Sequence, residues 1–283
     1  MRIRHLVTGI VIFVFALILS ASTALAVTET FHETYTAQAG TPLTVNNRNG
    51  SITMTVGQNE TVDIVAVKKT HLGGRLSDVE IRVNMGETFS IETVYLVNNP
   101  RVSVEYTISV PSSMPIIRLE SSNGAIMLND TTGETVVQTS NGAIKVNQHT
   151  GAVDAKTSNG AIEMQHISGM VSARTSNGSI TIVETAGIEE AETSNGSISA
   201  EVADILADRL TLKTSNGRIR VWLSANLNAD LNMKTSNGAI TIHDLEIMTT
   251  RVSKTEFEGR IGSGGKPLTA KTSNGSIEVY ELK

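Results

Sequence analysis

The feature of the sequence that most limits its fold is a short motif, Thr-Ser-Asn-Gly-x-Ile, that recurs along most of the chain. Consecutive copies between Asn123 and Asn195 are 18 residues apart, and the later steps are 21, 21 and 37 residues. A fixed period of this size is typical of one structural unit stacked on itself. The motif asparagines are Asn123, Asn141, Asn159, Asn177, Asn195, Asn216, Asn237 and Asn274, with a further variant copy at Asn49.

Each repeat predicts two short strands, because apolar and polar residues alternate on both sides of the Asn-Gly pair. Val153 and Ala155 precede one pair, and Ile162 and Met164 follow it. We expect the Gly to be required because the backbone turns there through positive φ.

Two architectures fit this pattern. Asn-Gly between alternating strands is a strong hairpin signal, which would make the chain an antiparallel meander. In a parallel β-solenoid, by contrast, each unit of about 18 residues is one coil that closes on its own apolar face. The sequence favours the solenoid, because no amphipathic helix is present to cover the open face of a meander. In such a solenoid, the motif asparagines would stack as a ladder at one corner. Their side-chain amides would hydrogen-bond to the backbone of that corner, and Asn274 would lie at the end of the ladder.

The repeats divide the chain into three predicted parts. Residues 1–26 form an export signal, residues 27–118 a first coil with an irregular β-rich cap, and residues 119–283 the solenoid. The step of 37 residues before Asn274 is about two coils, so residues 255–261 would be a degenerate coil that has lost its Asn. The cap is expected because a solenoid end exposes apolar side chains and unpaired strand edges.

The export signal has three recognisable elements. Arg2 and Arg4 precede an apolar run of 14 residues, positions 6–19, and Ala24-Leu25-Ala26 has the form of a signal-peptidase site. The run is shorter than the roughly 20 residues that span a membrane. We therefore expect cleavage after Ala26 and an extracytoplasmic location in the periplasm, at the cell surface or outside the cell. An uncleaved anchor, the only predicted membrane contact, is the alternative.

Composition excludes several functions. The chain has no cysteine, hence no disulfide and no thiolate metal site. Its net charge of −5 argues against a nucleic-acid binder, which is normally basic. No phosphate-binding loop or calcium repeat is present, and the sequence predicts no cofactor.

The motif copies, together with the strand Val104-Glu105-Tyr106-Thr107-Ile108-Ser109-Val110-Pro111 ahead of them, resemble a bacterial β-strand-repeat family of unknown function. That family is usually labelled "putative adhesin". The resemblance covers nearly all of the chain after the export signal. It implies a right-handed, parallel β-helix-like fold at the cell envelope and an adhesin-like module that binds or displays. The family offers no catalytic residue to carry over.

The alternative function is a carbohydrate-active enzyme, a polysaccharide lyase or hydrolase, on the same fold. The sequence shows no convergent acid–base group, and we predict no catalytic residue and no metal site. His149 and His166 are 17 residues apart, one short of the period, so they fall in adjacent columns. Trp222 points outward, and we expect no aromatic platform beside it. The one dense acidic group consists of Glu189, Glu190, Glu192, Glu201, Asp204 and Asp208.

One outward column is basic. It consists of the residue before each motif Thr, and its basic members are Lys156, Arg174, Lys213, Lys234 and Lys271, with Lys254 in the like place of the degenerate coil. In a solenoid these residues would stack about 4.8 Å apart. An ordinary solvated face is one interpretation. The functional interpretation is a stripe that binds an anionic envelope polysaccharide, or another surface protein.

Overall fold

The computed structural model describes residues 26–283, which form strands and a single 3-10 turn at Leu76–Asp78. Nearly all of the predicted signal peptide lies outside the described residues. In chain order the strands are β1 (Thr28–Thr36), β2 (Leu43–Asn46), β3 (Ile52–Val56), β4 (Thr61–Thr70), β5 (Val79–Met85), β6 (Phe89–Tyr95), β7 (Val102–Val110), β8 (Ile116–Glu120), β9 (Ile126–Asn129), β10 (Thr135–Gln138), β11 (Ile144–His149), β12 (Val153–Lys156), β13 (Ile162–Arg174), β14 (Ile180–Asn195), β15 (Ile198–Val202), β16 (Leu210–Asn216), β17 (Ile219–Ser224), β18 (Ala229–Asn237), β19 (Ile240–Ile242), β20 (Met248–Val252), β21 (Glu256–Ile261), β22 (Lys266–Asn274) and β23 (Ile277–Leu282).

The strands pair in two long rows that share one apolar interior. The row that we call sheet A holds the strands before each motif Asn, in the spatial order β5, β6, β2, β8, β10, β12, β13, β14, β16, β22, β18, β21, β20. Sheet B holds the strands after each Asn, in the order β1, β4, β7, β3, β9, β11, β13, β14, β15, β17, β23, β19. The long strands β13 and β14 contribute one part to each row.

The strands that flank each Asn-Gly pair do not form hairpins. Strand β12, before Asn159, pairs in parallel with β10 and with the second part of β13, so that Val153 lies opposite Val171. The hairpin alternative is therefore wrong, and the fold is a solenoid-like stack of repeats. Burial explains the outcome, because Val153 is 2% exposed and Ala155, Ile162 and Met164 are 0% exposed without any covering helix.

The motif glycines are needed for a different reason from the one that the sequence suggested. Among the described residues, Gly50 has positive φ but the motif glycines from Gly124 onward do not. Instead, successive coils approach closely at this corner. A Cβ on Gly178 would overlap the carbonyl oxygen of Gly160, one coil earlier, and Gly160 has the same relation to Gly142. Backbone proximity, not left-handed conformation, excludes a side chain there.

The corner is held by two columns of side-chain hydrogen bonds. Each motif Thr donates from its hydroxyl to the carbonyl of a neighbouring coil's Gly, as Thr175 does to Gly160 at 3.0 Å. The asparagines form the predicted ladder, but their amides bond one another rather than backbone. Each Nδ2 donates to the Oδ1 of the next Asn at 2.7–2.9 Å, in the spatial order Asn237, Asn274, Asn216, Asn195, Asn177, Asn159, Asn141, Asn123, Asn49.

The last coil of the chain is not at the end of the stack. Strand β22 pairs with β16 on one side and with β18 on the other, which places Asn274 between Asn216 and Asn237. Residues 255–261 are not a degenerate coil, because β21 runs antiparallel to β18 and β20 runs antiparallel to β21. Lys254 is therefore outside the basic column. The residue opposite Lys234 on β21 is Glu256.

A short loop allows the last coil to enter between β16 and β18. Strand β21 ends at Ile261 opposite Ala229, and β22 begins at Lys266 opposite the same Ala229 on its other side. Residues 262–265 therefore cross over the start of β18. Asn228 holds the loop, because its Oδ1 accepts the backbone N–H of Ser263 at 2.9 Å.

The N-terminal end is closed in a similar way. Strands β6 and β7 lie in parallel outside β2 and β3, although they follow them in the chain. The antiparallel strands β5, β4 and β1 cover this outer layer. Both sheets therefore finish in antiparallel strands at the N-terminal end, whereas at the other end only sheet A does and sheet B finishes in the parallel strand β19. Antiparallel pairing covers strand edges that would otherwise stay open. The boundary between residues 118 and 119 stays a prediction.

The close approach at the corner predicts a large penalty for Gly178→Ala. Because the added Cβ must displace the backbone of the preceding coil, we expect a loss of roughly 3 kcal/mol or more in the free energy of unfolding. Gly86→Ala is the matched control, since a Cβ at Gly86 meets no atom within 4 Å. Urea unfolding followed by circular dichroism measures both. Similar stabilities of the two variants would contradict the close-contact explanation.

The order of the ladder predicts which asparagines matter most. Asn177 and Asn274 each take part in two amide hydrogen bonds, whereas Asn237, at the end, takes part in one. A net hydrogen bond contributes about 1 kcal/mol. We therefore expect Asn177→Ala and Asn274→Ala to be about equally destabilising in urea unfolding, and Asn237→Ala to cost about half as much. If Asn274→Ala were the mildest of the three, the inserted position of the last coil would be wrong.

Candidate functional site

The predicted basic column exists on the outer face of sheet A, in a corrected order. The register aligns one residue from each successive strand, beginning near the N-terminal end: Glu120, Gln138, Lys156, Arg174, Glu192, Lys213, Lys271, Lys234, Glu256. Lys271 thus lies between Lys213 and Lys234. The structure brings all five predicted basic residues into one line and divides them at Glu192.

In the half of the column that contains Lys156 and Arg174, carboxylates pair with the arginine. The guanidinium of Arg174 pairs with Asp154 at 3.3 Å and also with Glu190. Lys156 is exposed and makes no ion pair within 4.0 Å to any described residue. This half therefore sets two basic residues against the two carboxylates of Asp154 and Glu190.

The other half is a compact basic surface that we call the lysine patch, defined as Lys213, Lys271 and Lys234. All three side chains are exposed and lie on adjacent parallel strands, so they are about 4.8 Å apart along the stack. Acidic residues lie only at its two ends within the column. Lys213 is 3.8 Å from Glu192, and Lys234 is 3.3 Å from Glu256.

The column beside the lysine patch is polar and uncharged. It consists of Thr211, Thr269 and Asn232, which occupy the same face of the same three strands. Lys271, in the middle, has no ion-pair partner within 4.0 Å in the described part of the chain. At the edge, the hydrogen bond and charge of Lys234 lower the pKa of Glu256, so that carboxylate is ionised at neutral pH. The patch therefore sets three lysines in line against two carboxylates at its ends, and its central Lys271 is unpaired among the described residues.

The dense acidic group of the sequence is dispersed. Glu190 and Glu192 lie on the outer face of sheet A, Glu189 is the extra residue of a bulge in β14, and Glu201 belongs to sheet B. Residues 26–283 contain no group of three His, Asp or Glu side chains placed to hold a metal ion. Over the same residues, no helix has the length and apolar character needed to cross a membrane.

The two histidines lie in adjacent columns, as their spacing predicted. The register aligns His149 with Ile167, so His166 aligns with Gln148, one position earlier along the strands. His149 is buried, its ring bonds Thr131 at 2.9 Å and the carbonyl of Gly133 at 2.8 Å, and its burial lowers its pKa. His166 is exposed and lies 2.7 Å from Glu184. The two rings therefore have separate partners, although both residues line the same shallow surface pocket.

The expectation that Trp222 has no aromatic neighbour is wrong. Its ring stacks on Tyr280, with centroids 5.5 Å apart and planes 21° from parallel. The ring of His243 stacks on the other side of Tyr280, at 4.6 Å and 6°. We call these three rings the aromatic stack. All three occupy the sixth position after a motif Asn, a signal present in the sequence, but only the inserted last coil places Tyr280 between the other two.

A carboxylate orients the central ring of the aromatic stack. Glu278 lies two residues before Tyr280 and accepts a hydrogen bond from its hydroxyl at 3.2 Å. The same carboxylate accepts hydrogen bonds from the Nε atom of Arg220 at 3.2 Å and from Ser276 at 3.0 Å, and it forms an ion pair with Arg218 at 3.2 Å. Burial alone would raise the pKa of Glu278, but these hydrogen bonds and charges outweigh it and lower the pKa. The phenol is thus fixed by a permanently ionised partner at neutral pH.

Comparisons with known proteins agree with this architecture. The model of the family described as Toastrack DUF4097 matches residues 23–280. A solved structure from Bacteroides fragilis, titled a "putative adhesin", is similar with a TM-score of 0.54 at 11% identity, covering 89% of this chain and 97% of the other. At this identity the likeness shows the fold alone. Among curated proteins, no sequence matches the chain.

Two further solved structures resemble the chain more weakly. One is a "putative adhesin" from Parabacteroides merdae, with a TM-score of 0.32 at 10% identity over 90% of this chain and 97% of the other. The second is a "putative cell adhesion protein" from Clostridium sporogenes, with a TM-score of 0.28 at 9% identity over 90% and 100%.

Proposed function

This chain belongs to the Toastrack DUF4097 family, and on that premise we propose that it is a non-enzymatic, exported module that binds an anionic polymer at the bacterial cell surface. The observation that carries the proposal is the lysine patch, in which three exposed ammonium groups follow one another on adjacent strands with uncharged neighbours beside them. An envelope polysaccharide with acidic groups is the ligand class that fits such a line of charges.

Repetition is what makes weak contacts useful here. Each exposed ammonium–anion contact is worth about 0–1 kcal/mol, and screening limits each one to about 8 Å at physiological salt. A linear polyanion can meet Lys213, Lys271 and Lys234 together, so their contributions combine within one complex. Because the whole chain has a net charge of −5, attraction must come from this local surface.

The surface location rests on the N-terminal sequence. The charged start, the short apolar run and Ala24-Leu25-Ala26 support export with cleavage after Ala26, so N-terminal sequencing of exported protein should find Val27 first. The solved structure of a "putative adhesin" with the same fold supports an adhesin-like role. We also propose that the stack is right-handed and that its regular coils are about 18 residues long, as the family resemblance and the repeat suggest.

Binding by the lysine patch should depend on salt and on the three lysines. We expect a triple variant, Lys213→Gln, Lys271→Gln and Lys234→Gln, to bind polygalacturonate or poly(glycerol phosphate) about tenfold more weakly at low salt, since three exposed contacts sum to roughly 1–2 kcal/mol. Binding of the unchanged protein should weaken between about 20 mM and 300 mM salt because screening increases.

The charge-matched control changes three lysines elsewhere, Lys68, Lys69 and Lys145, to Gln. These residues lie outside the lysine patch and are paired with Glu29, Glu105 and Glu163, whereas in the patch Lys213 and Lys234 are paired and Lys271 is not, within residues 26–283. Isothermal titration or surface plasmon resonance compares the variants. If both triple variants bound the polymer equally weakly, the effect would be one of net charge and not of the lysine patch. If the protein bound another surface protein but neither polymer, the proposed ligand class would be wrong.

Purified protein should show no hydrolase or lyase turnover on common acidic and neutral polysaccharides. Glu190, the most central carboxylate of the acidic group, is engaged by Arg174 and Ser172 on a regular strand face. Reducing-end and unsaturated-product assays measure turnover. Activity that disappears in Glu190→Gln but persists in Glu189→Gln would establish an enzyme and overturn the proposal.

A further inference from the structure

We propose that the aromatic stack, at the C-terminal end of sheet B, binds an uncharged sugar unit of a glycan chain. This site lies on the sheet opposite the lysine patch and takes a different ligand. It is accompanied by a surface pocket of about 380 Å³. The residues that line the pocket include Glu201, Trp222, Asp244, Tyr280, Glu281 and Lys283.

The rings do not belong to the core. Along β17 and β23 the inward residues Val221, Leu223 and Val279 are 0% exposed, and Trp222 and Tyr280 alternate with them on the outer face. Both rings remain partly exposed. Large aromatic side chains on the solvent face of a sheet are informative, because the interior does not require them.

In the described part of the chain, two ring faces of the stack have no ring against them: the far face of His243, at the end of sheet B, and the face of Trp222 turned toward Glu201. Tyr280 is enclosed between Trp222 and His243, so both of its faces are covered. Trp222 has Tyr280 on one face, and its other neighbour in the column is Glu201, whose flexible chain replaces a further ring. Trp222 and Glu201 both line the pocket, and the indole face is flat and apolar. The C–H face of a pyranose ring is apolar in the same way, while its hydroxyls point outward to polar partners.

The charges of the pocket select against an acidic sugar. Three carboxylates, Glu201, Asp244 and Glu281, surround the rings, and Lys283 is the one basic side chain in the lining. Carboxylates accept hydrogen bonds from sugar hydroxyls, and such charge-assisted bonds are stronger than neutral ones. A uronic acid would instead meet repulsion. A few convergent polar groups around an apolar surface are typical of small-ligand sites.

The positions of the rings are well supported. The hydroxyl of Tyr280 is bonded to Glu278, which is itself held by Arg218 and Arg220. The three strands that carry the stack are fixed by parallel ladders on both sides of β23. A rigid aromatic surface loses little side-chain entropy when a ligand packs on it.

The chain offers a direct probe of this site, because Trp222 is its only tryptophan. Titration with cellohexaose, chitohexaose and maltohexaose should change Trp222 fluorescence for at least one of them, with a Kd of about 0.1–1 mM for so small an interface. Glu201→Ala and Tyr280→Ala should each weaken that binding at least about fivefold. Glu201→Gln, which keeps the shape of an exposed side chain, provides a variant that does not threaten folding.

The controls separate this site from the lysine patch. The triple lysine-to-glutamine variant of the patch should bind the neutral sugar as the unchanged protein does, and polygalacturonate should leave Trp222 fluorescence unaltered. The proposal is overturned if none of the three sugars changes the fluorescence, or if the response survives both Glu201→Gln and Tyr280→Ala. A response to choline but to no sugar would assign the rings to a cation instead, and would also overturn it.

Discussion

The whole fold depends on how closely one coil approaches the next at the motif corner. The motif glycines allow the backbones to meet there, and only at that separation can each Thr hydroxyl reach a neighbouring Gly carbonyl and each Asn amide reach the next Asn. The three bonding elements of the motif are thus parts of a single contact between coils. Since the contact is the same at every step, the sequence repeats it and the strands between copies need only alternate.

This uniform contact has a consequence for chain order. A coil that carries the motif can pair with any other such coil, because each copy presents an amide donor at one edge and an amide acceptor at the other. The last coil uses this freedom when it enters between two earlier coils. The N-terminal end, and sheet A at the other end, are then closed by antiparallel strands, which lack the motif.

The outward positions carry both proposed binding surfaces, because packing in the interior places no demand on them. On sheet A they form the lysine patch, with isolated acids at its ends, and on sheet B they form the aromatic stack beside three carboxylates. The two surfaces differ in charge and in chemistry, so a single module could hold an acidic polymer and a neutral glycan on opposite faces. Both surfaces include residues of the inserted last coil, Lys271 and Tyr280, and both therefore require its position in the stack.

The sequence by itself determined the period, the strands, the inward and outward alternation, the members of the Asn ladder and five basic members of the column, because these depend only on position within one repeat. It wrongly added Lys254, whose segment is not a repeat. It could not determine the partner of each coil. The step of 37 residues before Asn274 fits a second coil as well as a capping hairpin, and local sequence has the same appearance in both. The tertiary structure decided between them through the short loop at residues 262–265, held by Asn228, which returns the chain to the other side of β18. Spatial order, and with it the aromatic stack, is a property of contacts between distant residues, which no single repeat encodes.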